Sequence, residues 1–447
     1  MRSGAATLAL AAAVAFALAD SSIVVLALPE LYGDFNTTIQ GVSWVVTAYN
    51  LAVVVGAIAV LPLAGRVRPA VSALVGLLIF AVASIVCAAA GGLALLIAGR
   101  TVQGLGAALL LVSSLPLLVA LTGPRPHAIS VWVSAGTLGA AAGPAVGGIL
   151  TQLFSWRAIF AVQAPVAALA VVAARERSAW LVPPAQPGRE RPSVAAGVGL
   201  ALAFAALVGA LFLAVLLVVT VWDFGPAKGA LVVSALPIAA VASRPLARLL
   251  SRPVEIAGGA LLLAAGLVAL AFLPASSAAY AVPALAISGV GLGLALVPLT
   301  AASIAERGDL ERSASFSVGA RHLGLVIGLV AVAPLLAGSL DRAGDDATTS
   351  ATRVVLDARI PLQAKIPIAL DLYRAFRKAQ AGQIPDLAAP FNAHGAGDDP
   401  QVRQARDDLL AAVRAPLTRA FRSSFLLSAA FAVLAGLVAP AFRTRIE

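Results

Sequence analysis

Uninterrupted apolar runs of about twenty residues or more recur along this 447-residue chain, separated by short stretches that collect nearly all of its arginines. A run of that length with few charges can cross a bilayer as one helix. Within lipid every backbone amide must be bonded inside its own segment, so runs rich in Ala, Leu and Val are predicted to be helical. The spans fall at about 5–28, 42–63, 70–90, 93–118, 128–150, 158–174, 194–221, 228–250, 254–273, 280–303, 313–337 and 421–442. The first run passes through Ala17-Leu18-Ala19 as a cleavable leader would, but it stays apolar over 23–28 and is read as a span. The expected fold is an all-α polytopic membrane protein with twelve transmembrane helices. Charged residues make up 12% of the chain, about half the share of a soluble domain.

Arginine placement sets the predicted topology. With the N-terminus inside, the inner connections carry Arg2, Arg66, Arg68, Arg125, Arg175, Arg177, Arg189, Arg191, Arg244, Arg248, Arg252, Arg307, Arg312, Arg443 and Arg445, while the short outer loops carry almost only Arg157. Basic residues are retained on the cytoplasmic side, so both termini are expected in the cytoplasm and the protein in the cell membrane. A Pro- and Arg-containing linker at 175–193 separates 1–174 from 194–447, six spans on each side. Two equal bundles of this kind suit transporters built from parallel repeats, with the substrate path between the halves. A second polar stretch, 338–420, is predicted to form an outer insert, amphipathic and helical over 366–381 and 402–421; it is read as a solvated helical hairpin extending two membrane helices, with an extension that guides an apolar substrate or contacts a partner as the alternative.

Several function classes drop out. One cysteine (Cys87) and three scattered histidines (His127, His322, His394) offer no disulfide framework and no Cys/His metal cluster, so no metal or cofactor is expected. The net charge of +10 reflects arginines beside spans, not a basic face interleaved with aromatics, which argues against nucleic acid. No phosphate-binding Walker loop is present, and no converging His, Asp and Ser suggest an enzyme. The expected partners are a small-molecule substrate, protons and the lipid bilayer, with the chain acting as a monomer.

Ionisable residues inside a span are costly and are functional candidates by default. Asp20 lies nine residues before Pro29 at the end of the first span, about 13 Å below the outer surface at ~1.5 Å per residue. Arg100 lies about 10 Å into the fourth span from the same side, so the two can meet. Proton binding to the carboxylate would then compete with the ion pair, which makes a proton switch. Arg321, in the eleventh span, has no acidic partner in a neighbouring span and is expected to face water, a substrate anion or a lipid phosphate, or to snorkel to the interface. The fifth span, Gly136-Thr137-Leu138-Gly139 through Gly143-Pro144 to Gly147-Gly148, presents a small-residue face with a proline that favours a kink. Trp44, Trp156 and Trp222 are expected to be interfacial belt anchors, and Glu306, Asp309 and Glu311 to be surface charges of an inner loop, with a latch to Arg66 or Arg68 as the alternative.

Together these stretches resemble the major facilitator superfamily and, within it, the drug:proton antiporters. Asp20-Ser21-Ser22 running to Ala27-Leu28-Pro29 looks like that group's first-helix motif, and Trp44 through Asn50-Leu51 like the start of its second helix. Arg100-Thr101-Val102-Gln103-Gly104 is similar to the fourth-helix motif, and Gly143-Pro144 through Gly147-Gly148, then Trp156-Arg157, to the antiporter motif. Ala320-Arg321-His322-Leu323-Gly324 is similar to a segment of a late helix. The resemblance implies the two-bundle fold, alternating access and efflux driven by inward proton flow. It implies that Asp20 and Arg100, with Gln103 beside them, couple protons, and that Gly139, Gly143, Pro144, Gly147 and Gly148 form a gate-side face. Asn50 and Arg321 become substrate-cavity candidates, and Gly65, Arg66 and Arg68 an inner-loop motif that lacks the family's usual acid. The expected function is proton-coupled export of amphipathic or lipophilic small molecules. Export of a lipid or apolar metabolite with help from the outer insert is the alternative, and a membrane enzyme or sensor is the class outside transport.

Overall fold

A computed structural model describes residues 2–62, 66–183, 190–304, 308–358, 360–378, 387–394 and 399–442. The described chain is helical, and eleven helices are long and apolar enough to cross a membrane, or twelve if a bent fifth span counts as one. These spans are Gly4–Val25, Ile39–Val60, Pro69–Ala88, Leu93–Thr122, the bent Arg125–Leu153, Trp156–Ala174, Val194–Val221, Pro226–Ala247, Arg252–Ala271, Ala278–Ala302, Leu310–Ala343 and, within a longer helical stretch, Arg422–Gly436. Prolines in the first turn mark several starts (Pro69, Pro226, Pro253), where a missing N–H costs nothing. Gly123 stops the fourth span at φ +88°, a conformation that a side chain would strain.

The fifth span bends by 41° between Arg125–Ala140 and Ala142–Leu153. Pro144 explains the position. Its ring meets the carbonyl four residues earlier, at Ala140, and its nitrogen has no hydrogen to give. Within the first six spans, the first packs on the fifth and sixth, the third on the fourth and sixth, and the second on the fourth. The same pairs recur six spans later: seventh with eleventh and twelfth, ninth with tenth and twelfth, eighth with tenth. Across the divide, the second span packs on the eleventh and the fifth on the eighth, contacts that a twofold axis would exchange. The sequence shows no strong residue-level repeat, yet the packing repeats, because helix packing needs only matching small and large surfaces.

Two expectations change. Trp156 and Trp222 are not belt anchors: both are buried, the Trp156 indole donating to Asp34 at 2.9 Å and that of Trp222 to Thr418 at 3.0 Å. A buried indole needs an acceptor for its N–H, and both find one. Trp44 remains about half exposed. The eleventh helix runs past 337 to Asp357, extending a membrane helix into the 338–420 segment. In the 338–420 segment, further helices occupy Leu362–Lys378, Ala389–Ala393 and Pro400–Ala420. The inner-loop acids also differ from surface charges: Glu311 is buried, and the alternative latch to Arg66 or Arg68 does not form among the described residues. Asp309 caps its own helix through the Glu311 and Arg312 amides and pairs with Arg312, while Arg68 donates to the Trp180 carbonyl. Glu306 lies outside the described residues, and so does Gly65.

Beyond the first span, Glu30 accepts the Trp156 amide at 3.1 Å, and burial raises its proton affinity above the ordinary carboxylate value. A raised value in the fold favours the protonated form. Its contribution is therefore full below the ordinary value and is lost as pH rises through the raised one. Glu30→Gln is expected to melt at a higher temperature than the parent at pH 7.5 and to lose that advantage by pH 4. Thermal unfolding of both proteins at the two pH values checks this; a pH-independent difference would sink it.

Candidate functional site

At the centre of the first half, Asp20 and Arg100 form an ion pair with no solvent exposure, Asp20 Oδ2 accepting from an Arg100 Nη at 2.5 Å. Burying charges in lipid is tolerable only when every hydrogen-bonding position is filled. Each nitrogen of Arg100 has an acceptor: Nε donates to the Val45 carbonyl at 3.0 Å and the other Nη to Gln103 Oε1 at 2.6 Å. Its guanidinium also lies 4.2 Å from the Tyr49 ring centre and 5.6 Å from that of Phe160. Gln103 Nε2 donates to Gln163 Oε1 at 2.6 Å and to Ser84 Oγ at 2.7 Å, and Gln163 Nε2 returns to Asp20 Oδ1 at 2.8 Å.

The result is a closed ring, Arg100 to Gln103 to Gln163 to Asp20 and back to Arg100, drawn from the first, fourth and sixth spans. Its polarity is fixed. Arginine can only donate and a carboxylate can only accept, so both amides have one workable orientation. A proton on Asp20 adds a donor where both neighbours already donate, and the ring then has a hydrogen with no acceptor. That is the chemistry the arrangement can perform: its bonding pattern differs between the two protonation states of one carboxyl.

A second chain of bonds starts one residue later. Asn50 Nδ2 donates to the Val46 carbonyl at 2.7 Å and to Ser21 Oγ at 3.0 Å, which leaves Asn50 Oδ1 facing His322 Nδ1 at 2.6 Å. The Val46 carbonyl fixes the amide orientation, so His322 must be the donor. This bond joins the two halves. Arg321 makes another such tie, donating to the Leu18 carbonyl at 2.5 Å with its plane over Phe204. At the end predicted to face the cytoplasm, Arg125 reaches the Gly308 carbonyl at 2.7 Å and Ser315 the Ala57 carbonyl at 2.8 Å. At the opposite end the Ala227 amide meets Gln152 at 3.4 Å.

Between the halves lies a cavity of about 100 Å³. It is smaller than the roughly 300–1,000 Å³ of a typical drug-sized pocket. Its walls are mostly Leu, Val and Phe, with Trp132, Ser21, Thr137 and Arg321 among the polar positions. Trp132 donates to Ser114 Oγ at 2.9 Å, which spends its polar atom on its own half.

Asp20, Arg100 and Gln103 thus lie in one cluster. Arg321 lines the cavity, but Asn50 does not: its amide is used up by Val46, Ser21 and His322. Arg321 neither faces lipid nor snorkels; the Leu18 carbonyl and the Phe204 ring hold it inward. The glycine face divides. A Cβ at Gly139 or Gly147 would strike the backbone carbonyl of Ala15 or Ile23, and one at Gly143 would strike Ser22 Oγ, so three glycines seat the fifth span on the first. Gly148 instead faces Ala230 and Pro226 of the eighth span, across the divide. Arg66 is exposed. Sequence reasoning does not single out Gln163, Tyr49, Ser84 or His322 as site candidates. A lone amide in an otherwise apolar span is the available signal for Gln163, whereas nothing local marks Tyr49 or Ser84.

Comparison with known proteins places this geometry in context. A sequence profile described as "Major Facilitator Superfamily" matches residues 10–340. The Methylenomycin A resistance protein of Bacillus subtilis (strain 168) is 35% identical over 158 residues, covering 35% of this chain and 34% of that protein. Drug efflux pump JefA of Mycobacterium tuberculosis (strain ATCC 25618 / H37Rv) is 38% identical over 153 residues, covering 34% and 30%. The Tetracenomycin C resistance and export protein of Streptomyces glaucescens is 35% identical over 168 residues, covering 37% and 31%. The matched stretch therefore spans about a third of each relative's length. Among solved structures, a bacterial homologue of the human lysosomal transporter Spinster, inward-facing and unoccupied, superposes with a TM-score of 0.63 at 16% identity, over 100% of this chain and 99% of that one. A D-xylose–proton symporter gives 0.58 at 14% identity, over 74% and 89%. At such identities the likeness is one of fold.

Proposed function

Because the chain belongs to the major facilitator superfamily, it is a multi-pass membrane transporter and not an enzyme, and from that premise we propose that it exports amphipathic or lipophilic small molecules in exchange for protons. The observation that carries the reading is the fully buried Asp20–Arg100 pair, closed by Gln103 and Gln163 and set one residue from the cavity-lining Ser21. Relatives named for drug efflux and antibiotic resistance support the direction and the substrate class.

In this reading the halves 1–174 and 194–447 rock about the 175–193 linker, in a cell membrane with both termini in the cytoplasm, as a monomer. Protonation of Asp20 from outside breaks one bond of the ring and frees the first span from the fourth. The first span is the right messenger. It gives Leu18, Ser21, Ser22 and Val25 to the cavity, its Leu18 carbonyl holds Arg321 of the other half, and its backbone seats Gly139 and Gly147. Coupling requires that the proton be bound with different strength in the two access states, since a proton bound equally in both shifts nothing. Gly148 against Ala230, and the bend above Pro144, supply the pivot on the fifth span.

The test is proton movement in proteoliposomes under an imposed pH gradient, with a panel of lipophiles added. Substrate-dependent flux is expected for several unrelated compounds. Flux with none of them, together with lipid accumulation in cells lacking the protein, would replace this reading with lipid export.

A further inference from the structure

We propose that the preferred substrates are lipophilic anions, whose acidic oxygens are held by Arg321. The proposal rests on the export reading and narrows it. Among the described residues, Arg321 is the one charged side chain lining the cavity, and no carboxylate lines it. Its guanidinium is only partly used: one Nη donates to the Leu18 carbonyl, the plane covers Phe204 at 4.4 Å, and the buried Nε has no hydrogen-bond partner. A buried N–H without an acceptor is a loss that an acceptor brought beside the guanidinium would recover.

No described neighbour cancels the charge. Asp20, on the first span, is taken by Arg100 and Gln163. His322, next in the chain, gives its Nδ1 hydrogen to Asn50, and Tyr49 donates to the Ala17 carbonyl. Protonation of Asp20 or His322 would only make the surroundings more positive. In a cavity of low dielectric, a substrate cation would meet a repulsion that water does little to screen, whereas an anion gains a charge-assisted bond. Guanidinium also suits a planar or tripodal oxyanion better than an ammonium would. Phe204, Leu207 and Leu236, which line the same cavity, accommodate the apolar remainder.

Charge movement follows from the same assignment. At one proton per substrate, an anion leaving and a proton entering move two elementary charges in one direction; a neutral substrate moves one and a cation none. An inside-negative potential therefore drives anion export hardest.

The experiment compares three compounds on one alkylnaphthalene skeleton: a sulfonate, its sulfonamide and a trimethylammonium analogue. None of the three head groups carries protons through lipid at pH 7. Proton flux and membrane current are read in proteoliposomes of the full chain. The sulfonate is expected to drive flux at concentrations at least about tenfold lower than the cation, with twice the charge per proton of the sulfonamide. Arg321→Gln also loses the tie to the Leu18 carbonyl, which lowers transport of all three compounds, and should weaken the sulfonate about 10- to 100-fold more than the sulfonamide. If that variant does not fold, Thr137→Asp decides: a carboxylate on the cavity wall should move the preference toward the cation. A wild-type preference for the cation, equal losses of all three compounds in Arg321→Gln, or an unchanged ranking in Thr137→Asp would overturn the proposal. Flux with cations alone overturns it while leaving proton-coupled export standing, and flux with no lipophile removes both.

Discussion

Asp20→Asn is expected to lower proton-driven transport by more than about 100-fold, the scale on which loss of a proton-transferring group acts, while leaving a folded, monodisperse protein. Asparagine matches aspartate in shape, so the cavity and the seat of the fifth span are retained. What changes is the bonding. Its oxygen can still accept from Arg100, but its NH2 then faces Gln163 Nε2, donor against donor. Turning Gln163 moves the clash to Gln103, and turning Gln103 moves it to Arg100, which cannot turn. One bond is lost wherever the mismatch settles, a cost of about 1–3 kcal/mol. The variant therefore imitates a permanently protonated carboxyl. It should be fixed in the access state that protonation favours, and should bind substrate from one side only. Transport measured in proteoliposomes under a pH gradient checks the prediction; flux within about threefold of the parent would move proton coupling away from Asp20.

The second large effect is at Arg100. Its guanidinium serves the Val45 carbonyl, Gln103 and Asp20 at once and packs on Tyr49 and Phe160. Lysine offers three hydrogens from one point and cannot span those acceptors. Arg100→Lys is expected to keep the pair with Asp20, lose the rest of the ring and reduce coupled transport by about 10- to 100-fold. Arg100→Ala leaves a buried carboxylate without a counter-charge, at a cost of about 3–5 kcal/mol, and should be poorly expressed. Combining it with Asp20→Asn removes the uncompensated charge, so the double variant should melt above Arg100→Ala alone, though without restored transport. Thermal unfolding in detergent ranks the variants. A double variant that adds the two losses would mean that the two side chains do not act as a pair.

Much of the site is legible in one dimension for a plain reason. A charge inside a membrane span is expensive, so Asp20 and Arg100 stand out against their apolar neighbours in the chain, and helical rise puts them at similar depth. Pro144 announces the bend in the fifth span because a missing N–H is a local fact. Among the neutral partners, Gln103 is named by the family resemblance and the others are not singled out. Gln163, Tyr49 and Ser84 are ordinary side chains in sequence, and they matter only because the sixth, second and third spans bring them against the pair. In sequence, His322 is one of three scattered histidines. Its meaning comes from Asn50, 272 positions away. The same distance effect hides the roles of Trp156 and Trp222, which have the composition of interfacial anchors but find acceptors in Asp34 and Thr418.

The sequence by itself determined that the chain is a bundle of membrane helices, roughly where each begins, and which charges must be functional or paired. These follow from transfer free energies and backbone hydrogen bonding, which act residue by residue. Only the tertiary structure decided which neutral groups complete the ion pair, in which direction the ring of bonds runs, and that the described cavity wall carries a single unbalanced positive charge. Hydrogen-bond polarity and net cavity charge are properties of groups that meet across spans, and no local pattern encodes who meets whom.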